Sequence, residues 1–144
     1  MSLRHDSANL GVRHGAWGES VAANHLRRAG LEIIDRNTRP VGKDERLEID
    51  IVAWDPVRDE MVFVEVKQHA RLSAYARRLQ SVTRRKKLNL RRACNAWRRV
   101  NKWAGGVRFD VVEVYGIPGE GQPYVDHISN VELFAKPGRF VNWN

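Results

Sequence analysis

The sequence of 144 residues predicts a single α/β domain in which helices flank a mixed central sheet. Segments with helical and with strand periodicity follow one another in the order α-β-β-β-α-β, which is typical of a sheet covered by helices. The length is ordinary for one domain and sufficient to bury a core. Cys94 is the single cysteine, which excludes an internal disulfide and a cysteine-rich zinc site.

The first helix is predicted from Trp17 to Ala29, where apolar residues recur at spacings of three to five. Gly30 follows at the position where a glycine commonly ends a helix. Residues 1–13 are polar and predict a flexible lead-in to a core that spans about 15–130. No apolar run resembles a signal peptide or approaches the ~18 residues of a membrane span. We therefore expect a soluble, cytoplasmic protein.

Three strands are predicted between the helices, over residues 31–37, 47–54 and 61–67. A loop rich in charge, with one proline and one glycine, separates the first two strands. A short turn joins the second and third strands into a predicted hairpin. A fourth strand is predicted over 108–116 and a weaker extended segment over 124–133.

Four charged side chains alternate with apolar residues on the hairpin strands: Glu48, Asp50, Glu65 and Lys67. Side chains two apart on a strand share a face, so the charges converge on one side of the sheet. The opposite side is expected to feed the core with Ile49, Ile51, Val62, Val64 and Val66. Asp50 then lies near Glu65, and two close carboxylates repel unless a cation neutralises them. A solvated sheet face with ordinary charges is the alternative interpretation.

Oxygen ligands of this kind suit Mg²⁺ or Mn²⁺, and such an ion can activate water against a phosphodiester. In this interpretation Asp50 and Glu65 bind the metal, and Lys67 orients the water or offsets phosphate charge.

The second helix is predicted over 82–104, with Cys94 on its apolar stripe and buried. Residues 71–102 hold twelve Lys or Arg and no Asp or Glu, which predicts a face that meets a polyanion. The residues expected to contact nucleic acid are Arg71, Arg77, Arg78, Arg84, Arg85, Lys86, Lys87 and Arg91. Contacts to phosphates predict weak sequence specificity and strong salt sensitivity. A solvated helix face is again the alternative.

Aromatic and histidine residues carry weaker signals. Most tryptophans are expected in the core, whereas Tyr75 lies among arginines and could stack on a base. The histidines show no metal-binding spacing, although His69 lies close enough to Lys67 to contact a substrate.

Several motifs in order resemble the YraN-like family, small bacterial proteins, and through it the PD-(D/E)XK nuclease superfamily. The motifs span about 15–115 and are Gly18-Glu19, Arg36-Asn37, Glu48 to Asp50, Phe63 to Lys67, Val82 to Lys86 and Arg108 to Val112. One departure is Arg46-Leu47, which stands where the family usually has two glycines before the Glu-Ile-Asp run.

The resemblance implies a restriction endonuclease-like fold and a catalytic set of Asp50, Glu65 and Lys67. It implies a supporting role for Glu48, a metal-site role for Glu19 on the first helix, and a position facing the site or phosphate for Lys86. The superfamily includes archaeal Holliday-junction resolvases, which act as dimers. The resemblance therefore implies DNA as the partner, in a branched or damaged form that arises in repair or recombination. It also implies a homodimer.

Two further functions remain open at this point. One is a catalytically inactive nucleic-acid-binding module that keeps the fold. The other is a basic protein-interaction domain whose second helix docks an acidic partner.

Overall fold

A computed structural model describes residues 3–42, 44–70 and 84–134 of the chain. Its elements in chain order are α1 (Leu3–Arg28), β1 (Glu32–Thr38), a 3-10 turn (Glu45–Leu47), β2 (Ile49–Asp55), β3 (Glu60–His69), α2 (Arg84–Val100), β4 (Gly106–Tyr115) and β5 (Tyr124–Ile128). The predicted α-β-β-β-α-β order is confirmed, and the weaker terminal segment forms β5.

The five strands form one mixed sheet in the order β1-β2-β3-β4-β5. Three neighbouring pairs are antiparallel, and β3 pairs with β4 in parallel. The parallel pair requires a crossover, and α2 lies within it. This arrangement confirms the predicted fold class and is consistent with a restriction endonuclease-like core. No helix among the described residues is both long and apolar enough to cross a membrane.

The sheet carries a core on each face, which explains why its central strands are rich in valine. The residues that α1 contributes to one core are Ala22, Ala23 and Leu26, and those of the strands beneath it include Ile51, Val62, Val64 and Val112. The core under α2 includes Leu90, Cys94 and Trp97 against Ile49, Val52, Phe63 and Phe109. Phe63 and Trp97 meet edge to face, with ring centroids 5.6 Å apart.

The expectation that Ile49 and Ile51 share a core face is wrong. Ile51 packs under α1, whereas Ile49 packs under α2 with Phe63. The last residue pair between β2 and β3 at this end is Ile51–Val64, and Ile49 is paired with β1 alone. The alternation of side chains predicts which face of the sheet a residue occupies only where its strand is paired regularly on both sides. β2 has two paired neighbours only from Ile51 onwards.

The first helix is also longer than predicted. It begins at Leu3, so residues 3–13 of the segment that the sequence predicts as a flexible lead-in are helical. The 26 residues of α1 exceed the 17 of α2. No proline interrupts residues 3–28, and the cost of about 1 kcal/mol for a glycine inside a helix does not break it.

Cys94 is fully buried, as predicted, and burial raises the pKa of its thiol because the thiolate would lose its hydration. We expect the native protein to react with a disulfide reagent at pH 8 at least about 100-fold more slowly than the urea-unfolded chain. Absorbance of the released thiolate measures both rates. Equal rates in the native and unfolded protein would contradict the buried position.

Candidate functional site

An open pocket of about 490 Å³ lies where β2 begins and β3 approaches its end. It combines residues of the 3-10 turn, both hairpin strands and α2: Arg46, Glu48, Asp50, Glu65, Arg85, Lys86, Asn89 and Leu90. The predicted convergence of Glu48, Asp50 and Glu65 is therefore confirmed.

Asp50 is held by the backbone at the point where the hairpin ladder stops. Its Oδ2 accepts a hydrogen bond of 2.8 Å from the backbone N–H of Val66. Pairing of β2 with β3 ends at Ile51–Val64, so the carboxylate takes the place of a main-chain acceptor beyond that pair. This contact fixes the Asp50 side chain at the end of the sheet, next to Glu65.

The electrostatic environment of Asp50 favours its protonated form. Burial first, then the charge of Glu65 and a smaller contribution from Glu19, raise the pKa of Asp50 to about 8, against the opposing effect of the Val66 N–H. Two carboxyl groups that share a low-dielectric site cannot both ionise easily. A nearby cation would instead favour the ionised form. The sequence predicts such a cation beside Asp50 and Glu65.

Glu19, Glu48 and Asp50 form an acidic cluster, with one oxygen from each carboxylate within 4.8 Å of the other two. α1 supplies Glu19, and the adjacent Gly18 lies so close to the Gln68 side chain of β3 that a Cβ would clash. The predicted metal set was Glu19, Asp50 and Glu65, with Glu48 in support. The structure instead groups Glu48 with Glu19 and Asp50, and it places Glu65 beside them in the same pocket.

Glu65 is engaged by a cation from the second helix. Lys86 Nζ lies 3.0 Å from Glu65 Oε1, so Lys86 faces the site as the resemblance implied. Burial, and then the neighbouring Lys86, lower the pKa of Lys67. Burial also acts to lower the pKa of Lys86, but its contacts with Lys67 and Glu65 outweigh it, so the net shift is upward. Lys86 is therefore the firmly charged member of this lysine pair.

Two arginines that sequence reasoning did not assign complete the charge pattern. Arg39 Nε donates to Glu48 Oε2 at 2.9 Å, and Arg36 Nη2 lies 3.9 Å from Glu19 Oε2. Arg36 belongs to one of the motifs of the resemblance, but no pattern in the sequence indicates its partner. The partners come from α1 and from the start of β2, which only the folded chain brings together.

The residues of the acidic cluster fit a hard divalent cation, because carboxylate oxygens are the ligands that Mg²⁺ and Mn²⁺ prefer. Among residues 15–42, 44, 46–70 and 84–134, whose side chains the structure describes, it is the one group of three or more acidic, histidine or cysteine side chains close enough to share an ion. The three side chains are each partly buried, so an ion could reach them.

The predicted nucleic-acid-binding residues divide between two surfaces of α2. Arg85 and Lys86 line the pocket of the acidic cluster. Arg84, Lys87 and Arg91 line a separate cleft of about 360 Å³, closed by the segment at Glu132 and Leu133. The remaining predicted contacts lie outside the described residues: Arg71, Arg77 and Arg78, together with the candidate stacking residue Tyr75.

The departure at Arg46-Leu47 has a structural reason. Leu47 is buried in the core under α2, where a glycine would leave a gap. Arg46 lies at the pocket and forms an ion pair of 3.0 Å with Asp44. In place of two conformationally free glycines, this chain therefore has a core side chain, Leu47, and a cation at the edge of the pocket, Arg46.

His69 has a structural partner that the sequence did not indicate. Its Nε2 forms a hydrogen bond with the carboxylate of Glu113 on β4, which is almost fully buried, and its ring stacks on Tyr115 with ring centroids 4.9 Å apart. These contacts occupy the end of β3 just beyond Lys67.

Comparison with known proteins places this pocket inside a matched region. The model of the family described as "Uncharacterised protein family UPF0102" matches residues 18–114. A UPF0102 protein of Mycobacterium avium is 34% identical over 122 residues, which are 83% of this chain and 90% of the relative. The Rhodococcus opacus protein is 39% identical over 117 residues, with 79% and 91% covered. The Streptomyces coelicolor protein is 40% identical over 119 residues, with 81% and 86% covered.

Proposed function

This chain belongs to the uncharacterised protein family UPF0102, and we propose that it is a divalent-metal-dependent endonuclease that hydrolyses DNA phosphodiester bonds. The membership confirms the YraN-like resemblance of the sequence. The assignment to the PD-(D/E)XK superfamily is part of the proposal, as is action on branched or damaged DNA by a homodimer.

The observation that carries the proposal is the convergence of carboxylates and lysines in one open pocket. Glu19, Glu48 and Asp50 form the acidic cluster, and Glu65 lies beside Asp50 with Lys86 at 3.0 Å. An acidic cluster of this kind repels a phosphate unless cations accompany it. The cationic side chains around it, together with a bound metal, would reverse the sign of the local potential.

Each group has a chemical task in the proposed reaction. Glu19, Glu48 and Asp50 would hold the ion, and Mg²⁺ or Mn²⁺ would supply Lewis-acid chemistry to the phosphate and to water. Lys67, whose pKa burial lowers, would hold the attacking water by hydrogen bonds. Lys86 and Arg85 at the pocket wall offset phosphate charge.

A DNA-binding module without cleavage is the second candidate. It is favoured by the ion pairs of Arg39 with Glu48 and of Lys86 with Glu65, because these cations already neutralise two of the carboxylates. In that case the pocket would bind phosphate without holding a metal.

The test is a panel of single-stranded, duplex, flap and four-way-junction DNA with Mg²⁺, Mn²⁺ or a chelator. We expect the wild type to cut at least one substrate with Mn²⁺, and we expect both the chelator and Asp50→Ala to stop cleavage while binding persists. Asp50→Ala, purified in parallel, also controls for a contaminating nuclease. Binding without cleavage would favour the module, and no binding at low salt would favour a basic protein-interaction domain.

A further inference from the structure

The two arginines beside the acidic cluster differ from the basic residues of α2 in what they contact. Arg36 belongs to β1 and Arg39 follows that strand directly, and their partners are Glu19 and Glu48. Both glutamates are members of the acidic cluster. Each arginine therefore competes with a cation for the same carboxylate.

About two-thirds of the Arg36 side chain is buried, yet its contacts with neighbouring oxygen atoms are long. Its distance of 3.9 Å from Glu19 is too long for a hydrogen bond, and its contact with Ser20 Oγ is 3.5 Å. Its Nε is buried and meets no acceptor among the described residues. A guanidinium with unused donors in a planar fork matches the two oxygens of a phosphate.

The charges around the pocket give this match a direction. Four acidic side chains lie at the site, and at least as many cationic ones surround them. The acidic residues are Glu19, Glu48, Asp50 and Glu65, and the cationic ones are Arg36, Arg39, Lys67 and Lys86, with Arg46 and Arg85 also lining the pocket. A divalent cation would leave the site with an excess of positive charge even if all four carboxylates were ionised. Anionic phosphates are the natural counter-charge for that excess.

We propose that Arg36 and Arg39 form a phosphate-binding pair, and that divalent cation and DNA phosphate bind to this site with positive coupling. The inference rests on the proposed function. A cation on Glu19 and Glu48 releases both guanidiniums towards phosphate, and phosphate on the guanidiniums leaves both glutamates to the cation. Reciprocity then requires that each ligand tighten the other by the same factor.

The experiment measures two affinities separately in the full chain. Calorimetry gives the affinity for Ca²⁺, which takes carboxylate oxygens as Mn²⁺ does, and fluorescence anisotropy gives the affinity for a labelled junction with Ca²⁺ or with chelator. In the wild type we expect Ca²⁺ to tighten DNA binding by about fivefold or more. In Arg36→Gln/Arg39→Gln we expect Ca²⁺ to bind about two- to fivefold more tightly and DNA with Ca²⁺ about tenfold more weakly.

Two control variants separate this result from a general change in charge. Arg46→Gln removes a cation at the pocket that pairs with Asp44, so it should leave Ca²⁺ affinity unchanged. Arg58→Gln removes an exposed cation in the turn at the far end of the hairpin and should barely change DNA affinity. Arg39→Lys keeps a positive charge beside Glu48, so its Ca²⁺ affinity should equal that of the wild type.

The proposal predicts that the double variant binds Ca²⁺ more tightly and DNA more weakly than the wild type. If both affinities fall in the double variant, or if Ca²⁺ affinity does not rise, the arginines support the fold or do nothing, and the inference is wrong. If the wild type cuts DNA but Ca²⁺ leaves DNA binding unchanged, the inference fails while the nuclease stands. If the wild type binds neither Ca²⁺ nor DNA, the proposed function itself fails.

Discussion

Asp50→Asn is expected to raise the stability of the metal-free protein and, in the same molecule, to abolish metal-dependent cleavage. Burial and the proximity of Glu65 destabilise the ionised form of Asp50, and together they raise its pKa to about 8. Asparagine keeps an oxygen that can accept the hydrogen bond from Val66 N–H, but it carries no charge. The variant therefore retains the local geometry and loses the electrostatic penalty.

The pH dependence of this effect has a definite sign. A carboxyl group whose folded pKa lies above its unfolded value binds its proton more tightly in the folded state. Its contribution to stability then falls as the pH rises between about 4 and 8. The advantage of Asp50→Asn should consequently be small at pH 5 and grow to about 2–4 kcal/mol at pH 8.

Urea denaturation in the presence of a chelator at pH 5 and pH 8 measures the free energy of unfolding. Glu32→Gln, at an exposed position of β1, is the matched control and should change stability by less than about 0.5 kcal/mol at both values. Cleavage with Mn²⁺ should fall by about 10²–10³-fold or more in Asp50→Asn alone. A destabilised Asp50→Asn, or one that still cuts DNA, would refute the role assigned to Asp50.

The proximity of Asp50 and Glu65 was predictable because both residues lie on one local hairpin. Alternation and a short turn suffice to bring them together, and the pairing of β2 with β3 confirms that reading. The grouping of Glu48 with Glu19 and Asp50 was not predictable in this way, because it depends on how α1 packs against the sheet. Packing between elements distant in sequence leaves no periodic signal in either one.

The same reason explains why the arginine contacts were missed. Arg36 and Arg39 follow a predicted strand, but their partners Glu19 and Glu48 lie on two other elements. The face of Ile49 was predicted wrongly for a different reason, since the strand loses its neighbour β3 at that residue. Composition correctly indicated a basic helix, yet it could not indicate that α2 presents its cations at three separate clefts.

Arg108 is the clearest case of a residue whose importance appears only in the fold. The sequence motif from Arg108 to Val112 indicates no role for it, and the structure buries it at 5% exposure between carboxylates of β2 and β4. Its Nη1 donates to Asp55 Oδ2 at 2.6 Å, and its Nε donates to Asp110 Oδ1 at 3.1 Å. Asp110 is fully buried and also contacts His127 at 2.9 Å, which in turn meets His25 at 3.1 Å.

This network lies near the start of β3, whereas the acidic cluster lies towards its other end. Arg108 contacts Asp55 and Glu60, which form the pair at the hairpin turn. The hydrogen bond from Arg108 lowers the pKa of Asp55. Burial acts to raise the pKa of Asp110, but His127, the Asn130 N–H and Arg108 outweigh it, so the net shift is downward. Arg108 is thus the main group that keeps Asp55 ionised, and it acts together with His127 and the Asn130 N–H at Asp110.

Arg108→Met is therefore expected to reduce the free energy of unfolding by about 3–5 kcal/mol at pH 7, because it leaves buried carboxylates without their cation. Carboxyl groups with lowered pKa values contribute stability above about pH 4 and lose it as the pH falls. In the variant, Asp55 and Asp110 lose the cation that lowers their pKa values, so they take up protons at a higher pH than in the wild type. Protonation at pH 4 should therefore relieve the buried charge in the variant and reduce its difference in stability from the wild type. Urea denaturation at both pH values tests this, with the exposed Arg92→Met as a control within about 0.5 kcal/mol. A loss below about 1 kcal/mol at pH 7, or an equal loss at pH 4, would show that the network does not depend on this charge.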